Sequence, residues 1–173
     1  MERTLIDSRH AARRHTPLYT PDQRARRDAS RWTWVQGVLA PLQLVACLIS
    51  FALVWRFLAT GVGGDAATAS VLIKTALLAA IMMTGCLWER DVYGQYLFAP
   101  AFFWEDVVSL FVIALHVAYL ALWIGGAPLE LQFKVALAAY SLYIVNAAQF
   151  LLKLRAARRS PTGEQVSTAA VAG

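Results

Sequence analysis

Two carboxylates stand side by side at Glu105 and Asp106, and two more, Glu89 and Asp91, precede them by a short stretch of chain. Carboxyl groups gathered in this way suit general acid–base work, in which one gives a proton while another takes one. Between Trp88 and Trp104, seven of seventeen residues are aromatic, including Tyr96, Phe103 and Trp104, against thirteen in the other 156. An aromatic belt at a membrane surface explains part of that density but not the acids packed into it. Flat aromatic walls with carboxyls between them suit a large planar ligand.

Three polar stripes run along otherwise apolar segments. At 100° per residue, Glu105, Ser109, Val112, His116, Tyr119 and Trp123 fall close to one line. His116 lies roughly 16 Å along the helix from Glu105. Trp32, Gln36, Ala40, Gln43, Cys47 and Ser50 form a similar stripe, and so do Tyr143, Asn146 and Lys153, with Gln149 at its edge. Amides and hydroxyls on such stripes either bond between helices or face a ligand. A neutral imidazole is either satisfied by one interhelical bond or ligates a metal, so both readings of His116 stand open.

These groups must be held by membrane-spanning elements. Of 173 residues, 58% are hydrophobic and 16% charged, with mean hydropathy +0.50. A soluble domain carries roughly a quarter charged residues, so the composition argues against a soluble enzyme and against a nucleic-acid-binding domain. Four apolar runs are long enough to cross a bilayer: Trp34 to Leu58, Ala66 to Trp88, Phe102 to Ile124 and Leu131 to Leu152. The period-2 pattern of a barrel is absent, which predicts an all-α integral membrane bundle of four transmembrane helices. Glycine and proline mark the connections, as in Gly61-Val62-Gly63-Gly64-Asp65 and Gly125-Gly126-Ala127-Pro128.

Thirteen of sixteen Lys and Arg residues fall before the first span, in the 89–101 loop or after the fourth span. The positive-inside rule then places both termini in the cytoplasm. The remaining three are Arg56, Lys74 and Lys134, and Lys74 is expected to snorkel toward water from near the end of its span. The expected organisation is a basic cytoplasmic segment over 1–33, a transmembrane domain over 34–154 and a disordered tail over 155–173. Arg13-Arg14 is a twin arginine without a short apolar run behind it, so the first span reads as a retained anchor. Thr20-Pro21-Asp22-Gln23 has the form of a capping box with proline at the first helical position, which predicts a short Arg-rich helix resting on membrane lipid. Cys47 and Cys86 lie inside spans with no CxxC partner and read as packing residues.

Three strings carry a family resemblance: Tyr96-Leu-Phe-Ala-Pro-Ala-Phe-Phe-Trp-Glu-Asp106, Arg31-Trp-Thr-Trp-Val-Gln-Gly-Val-Leu-Ala-Pro41 and Asn146-Ala-Ala-Gln-Phe-Leu-Leu-Lys-Leu-Arg155. Together they closely resemble the vinyl bacteriochlorophyllide hydratase family of bacteriochlorophyll biosynthesis, over roughly Tyr19 to Arg159. The resemblance implies a hydro-lyase that adds water to the C3 vinyl group of chlorophyllide a or a related bacteriochlorophyllide, giving a 3-(1-hydroxyethyl) group. It implies no cofactor, since the magnesium belongs to the chlorin substrate, and a bacterial inner membrane, cytoplasmic or intracytoplasmic and photosynthetic. Membrane lipid and other pigment-biosynthesis enzymes are the further partners expected, with no nucleic acid.

Such a reaction needs a proton for the terminal vinyl carbon, a positioned water and a base to deprotonate that water. Glu105 or Asp106 is the first choice for the acid, with Glu89 or Asp91 as alternatives. Burial among Phe102, Phe103 and Trp104 would favour a protonated acid, whereas a helix start near Pro100 would favour the ionised form, and the two assignments stay open. His116, Trp104, Phe103, Tyr96, Asn146 and Gln149 are the candidates for contact with the macrocycle, and Arg27, Arg31, Lys153 or Arg155 for its carboxylate. The competing reading is a chlorin carrier or photosynthetic assembly factor, which would bind pigment without the blue shift that loss of the vinyl produces. A small transporter is disfavoured because its coupling charge would have to be Lys74.

Overall fold

The computed structural model describes residues 18–159, and among them the chain is helical without strands. The elements are α1 (Pro21–Ala29), α2 (Arg31–Thr60), α3 (Gly64–Tyr93), α4 (Phe103–Ile124) and α5 (Leu129–Arg159). Helices α2 to α5 are each long and apolar enough to cross a membrane. Residues 1–17, including Arg13-Arg14, and residues 160–173 lie outside the described residues.

Three of the four helices overrun the apolar segments on which they are centred, because helical hydrogen bonding continues into polar sequence until a cap stops it. The consequence matters most for α3, which runs to Tyr93 and carries Glu89 and Asp91 on helix rather than on loop. Gly94 ends it with φ at 82°, a left-handed position that glycine adopts without strain, and its N–H donates to Arg90 O. At the other extreme α5 continues to Arg159, into the segment that the sequence assigns to the tail.

Helix α1 starts as its capping box predicts: Gln23 N–H donates to Thr20 Oγ1 at 3.2 Å, and Thr20 N–H to Gln23 Oε1 at 2.9 Å. It stops at Ser30, whose hydroxyl caps α2 and donates to Asp91 Oδ2 at 2.7 Å. Trp88 Nε1 donates to Thr33 Oγ1 at 3.0 Å, a second polar tie between α2 and α3.

Two hairpins, α2 with α3 and α4 with α5, make the most extensive contacts in the bundle. Gly64 permits the close approach at one turn, since a Cβ there would lie 3.0 Å from Leu129 Cδ1 and 3.1 Å from Phe57 Cε2. The core sits toward the end of the bundle remote from α1 and includes Cys47, Val54, Val71, Tyr119, Phe133 and Tyr140. Polar bonds cross this core. Ser50 Oγ lies 2.6 Å from Tyr140 Oη and 2.8 Å from Ser70 Oγ, so α2, α3 and α5 meet at one hydroxyl.

Lys74 departs from the sequence expectation. It does not snorkel: it is fully buried, ten residues into α3, with its ammonium 3.9 Å from the centroid of the Tyr143 ring. The reason is rotational, because Lys74 shares a helix face with Val71 and Leu78, both buried in the bundle. Trp123, at the far end of the α4 stripe, is 43% exposed and leaves the otherwise buried line.

Removal of one hydroxyl tests the triple contact. Tyr140→Phe is expected to lower stability by about 1 kcal/mol, in the range of membrane-protein hydrogen bonds, read as a lower Tm in detergent.

Candidate active site

A cavity of about 550 Å³ lies between the two hairpins, toward the end of the bundle that carries α1. That is within the roughly 300–1,000 Å³ of sites that enclose most of a small ligand. Sequence explains why space opens here. Pro41 has no N–H for the Gly37 carbonyl, so α2 lacks one backbone bond beside the cavity. Gly37, Ala40, Pro41, Gly85 and Ala147 then line the space with little side chain. Gly37, Ala40, Pro41 and Leu44 on α2 and Leu151 on α5 are also exposed on the outside of the bundle, so the cavity opens sideways between these two helices.

Glu89 and Asp106 are the two carboxyls that line the cavity, and each is about 5% exposed. Their side chains are within hydrogen-bond reach of one another. The loop joining α3 to α4 holds the pair. Phe98 N–H donates to Asp106 Oδ2 at 2.8 Å, and Ala99 N–H to Glu89 Oε2 at 3.1 Å. Successive N–H groups converge like this when one residue turns left-handed, and Phe98 does so with φ at 62°. A non-glycine residue at such a φ stores strain, typically about 1 kcal/mol or more, which the two carboxyl contacts offset.

Of the four acids read from the sequence, the structure brings together Glu89 and Asp106. Glu105 is buried but turned away, paired with Lys153 Nζ at 2.6 Å, and the same ammonium donates to Ala101 O. Asp91 is exposed, bonded to Ser30, and does not line the cavity. Lys153 is thereby committed to Glu105, and Arg31 stands exposed with its guanidinium 5.0 Å from the Trp32 ring.

The aromatic wall differs in membership from the expectation. Phe103, Trp104 and Tyr96 are 43%, 68% and 52% exposed and face outward. Tyr19, Trp88, Phe102, Tyr143 and Phe150 line the cavity in their place. Phe102 is central to this group, with ring centroids at 5.7 Å from Trp88, 6.0 Å from Tyr93 and 5.6 Å from Phe150. Tyr19 precedes the α1 cap and closes one edge, stacked on Tyr93 at 6.1 Å with the Arg27 guanidinium 4.8 Å from its ring. Burial pushes the Tyr19 phenol above its ordinary pKa, with Arg27 acting against that, so it stays a neutral donor. Its position just before an N-cap, where an apolar residue staples the entering chain, was the sequence signal available.

Asn146 lines the cavity and donates from Nδ2 to Ser109 Oγ at 2.7 Å, leaving Oδ1 without a protein partner. Gln36 also lines it, anchored on Thr84 Oγ1 at 2.7 Å and Ile81 O at 3.2 Å. Gln149 is half-buried beside the cavity without lining it. His116 is deeper. Its Nδ1 bonds Val112 O at 2.8 Å, a carbonyl that can only accept, so the proton is on Nδ1. Val112 lines the cavity floor and His116 lies behind it. Cys86 lines the cavity, while Cys47 belongs to the core.

Comparison with known proteins adds to this geometry. The family described as 2-vinyl bacteriochlorophyllide hydratase matches residues 19–156. A 2-vinyl bacteriochlorophyllide hydratase of Cereibacter sphaeroides is 64% identical over 144 residues, covering 83% of this chain and 90% of the relative. One of Rhodobacter capsulatus is 59% identical over 151 residues, covering 87% and 88%. No solved structure matches.

The strained loop carries its own test. Phe98→Gly is expected to keep thermal stability, because glycine adopts the left-handed position freely. Phe98→Val, branched at Cβ, should cost about 1 kcal/mol, read as a lower Tm in detergent.

Proposed function

The chain belongs to the 2-vinyl bacteriochlorophyllide hydratase family, and on that premise we propose that Glu89 and Asp106 are the acid–base pair that works on its substrate. The protein is a membrane hydro-lyase that hydrates the vinyl group of a bacteriochlorophyllide in bacteriochlorophyll biosynthesis. The observation that carries the assignment of the pair is the placement of two buried carboxyls, side by side, at one end of a cavity otherwise walled by aromatic and apolar groups.

In this reading the macrocycle is chlorophyllide a or its bacteriochlorin counterpart, and the product carries a 3-(1-hydroxyethyl) group. Two carboxyls in hydrogen-bond contact share one proton between them. The protonated member gives it to the terminal vinyl carbon, and the π pair forms the new C–H bond. Positive charge then develops on the inner carbon, where the conjugated ring spreads it. Water attacks there, and its proton passes to the carboxylate member of the pair. One water is added, no electrons leave the system, and the pair ends with one proton as it began. The backbone N–H groups of Phe98 and Ala99 hold both carboxyls in place throughout. Tyr143, Phe102 and Phe150 supply flat faces for the ring, and no group outside the chain and its substrate is called for.

Glu105 takes a positioning role here: its ion pair with Lys153 ties the first turn of α4 to α5 and leaves the adjacent Asp106 free for the cavity. His116 is a structural group behind the floor. The basic ends of the chain support placing this end of the bundle, with both termini, in the cytoplasm. The bacterial inner membrane is the compartment that follows. Arg-rich α1 then rests on anionic lipid at the rim of the site.

Membranes carrying the chain, incubated with chlorophyllide a, should yield a product heavier by one water and a blue-shifted absorption band. Glu89→Gln and Asp106→Asn should each lower kcat by about 10²–10⁴-fold, while Asp91→Asn stays close to wild type. Full activity in both cavity variants would remove the pair from the chemistry.

A further inference from the structure

Lys74 has no role in the mechanism above, yet burying an ammonium within a membrane bundle is costly unless something compensates it. The Nζ is fully buried and has no hydrogen-bond partner in the chain. The Tyr143 ring, 3.9 Å away, offers a cation–π contact and no countercharge. Two cations at the other end of the cavity are paired: Lys153 with Glu105, Arg27 with Asp28 at 2.7 Å. Among the described residues Lys74 is the fully buried cation left without an anion.

Its surroundings repeat the pattern. Both amide atoms of Gln43 and His116 Nε2 are buried and without partners, on α2 and α4. The His116 ring lies 6.0 Å from that of Tyr140, one turn from Tyr143 on α5, and Gln43 is one turn from Cys47 on α2. Buried polar atoms in folded proteins are ordinarily bonded, so several left open around one cation point to a ligand. The donors suit a carboxylate: the ammonium and the Gln43 amide N–H. His116 Nε2, with the ring proton on Nδ1, and Gln43 Oε1 remain to accept the other ammonium protons.

The chamber adjoins the cavity. Leu78, one turn along α3 from Lys74, forms part of the cavity floor with Val112 and Tyr143. Val112 also bears the carbonyl that orients His116. Tyr143 is the shared wall, with the cavity on one side and Lys74 over its ring. From Leu78 to Glu89 the helix rises about 16 Å, which sets the span between floor and carboxyl pair.

We propose that Lys74, with Gln43, is the subsite for the side-chain carboxylate of the substrate. The ring fills the cavity with its vinyl group against Glu89 and Asp106, and the flexible acid arm passes Tyr143 to reach the ammonium. The subsite rests on the reading of the cavity as the hydratase site, and it makes the enzyme selective for free acids over esters. A chlorophyllide is the free acid; its methyl ester differs by one small group and one charge.

The test compares hydration of a vinyl chlorophyllide and its methyl ester by full-length wild type and Lys74→Met in membranes. Wild type should favour the free acid in kcat/KM by about 30-fold or more, the scale of a desolvated charge pair. Lys74→Met should lose that preference through KM, keeping kcat and the ester's kcat/KM. Equal use of acid and ester by wild type overturns the subsite and needs no variant to fold. An equal loss on both substrates in Lys74→Met overturns it too, because that marks a structural lysine. If wild type hydrates neither compound, the reading of the cavity falls and the subsite with it.

Discussion

In hydrocarbon a charge has no water to fall back on, and this protein is organised by where its charged groups find partners. Most of the arginines and lysines sit beyond the apolar segments, where solvent can reach them. The acids that enter the bundle each meet a fixed contact: Glu105 the Lys153 ammonium, Glu89 and Asp106 the N–H groups of Phe98 and Ala99. The loop between α3 and α4 exists in its strained form because two carboxyls need those donors. Breaking the loop would leave buried acids without partners, so the stability of this end of the bundle and the geometry of its chemistry are one problem.

The two ends of the bundle solve different problems with the same helices. At the end remote from α1, large side chains interlock: Tyr119, Tyr140 and Phe133 fill space, and hydroxyls such as Ser50 bond across helices. At the other end small residues and a proline keep the hairpins apart, and aromatic rings line what is left open. The cavity is thus a consequence of side-chain size along α2, falling from bulky Val54 and Phe57 in the packed half to Gly37 and Ala40 in the open half. The Glu105–Lys153 pair and the contact of Asn146 with Ser109 hold α4 and α5 together around that opening.

The four spans, the capped helix at Thr20 and the polar line from Glu105 to Tyr119 were legible because each follows from periodicity or a local capping rule. The family was legible from three strings of unusual composition. Which acids face each other was not. Glu89 and Asp106 are brought together by a left-handed Phe98, a conformation that no residue type in the loop announces. Phe103 and Trp104 looked like walls for a ligand, yet they occupy the outer face of α4, while Tyr19 and Phe150 reach the cavity from distant parts of the chain. For Lys74, distance from the span's end points to water, and rotation about the helix axis overrides it. The face it shares with Val71 and Leu78 directs it inward.

The sideways opening between α2 and α5 changes what concentration means for this enzyme. A site reached through Gly37, Ala40 and Pro41 draws on ligand dissolved in the bilayer rather than in the surrounding water. Its occupancy then follows the mole fraction of pigment in lipid. Expanding the membrane dilutes the substrate even when its total amount is unchanged, and crowding pigment into small membrane domains saturates the site. A planar, sparingly soluble substrate would be converted and returned without leaving the layer in which it is held.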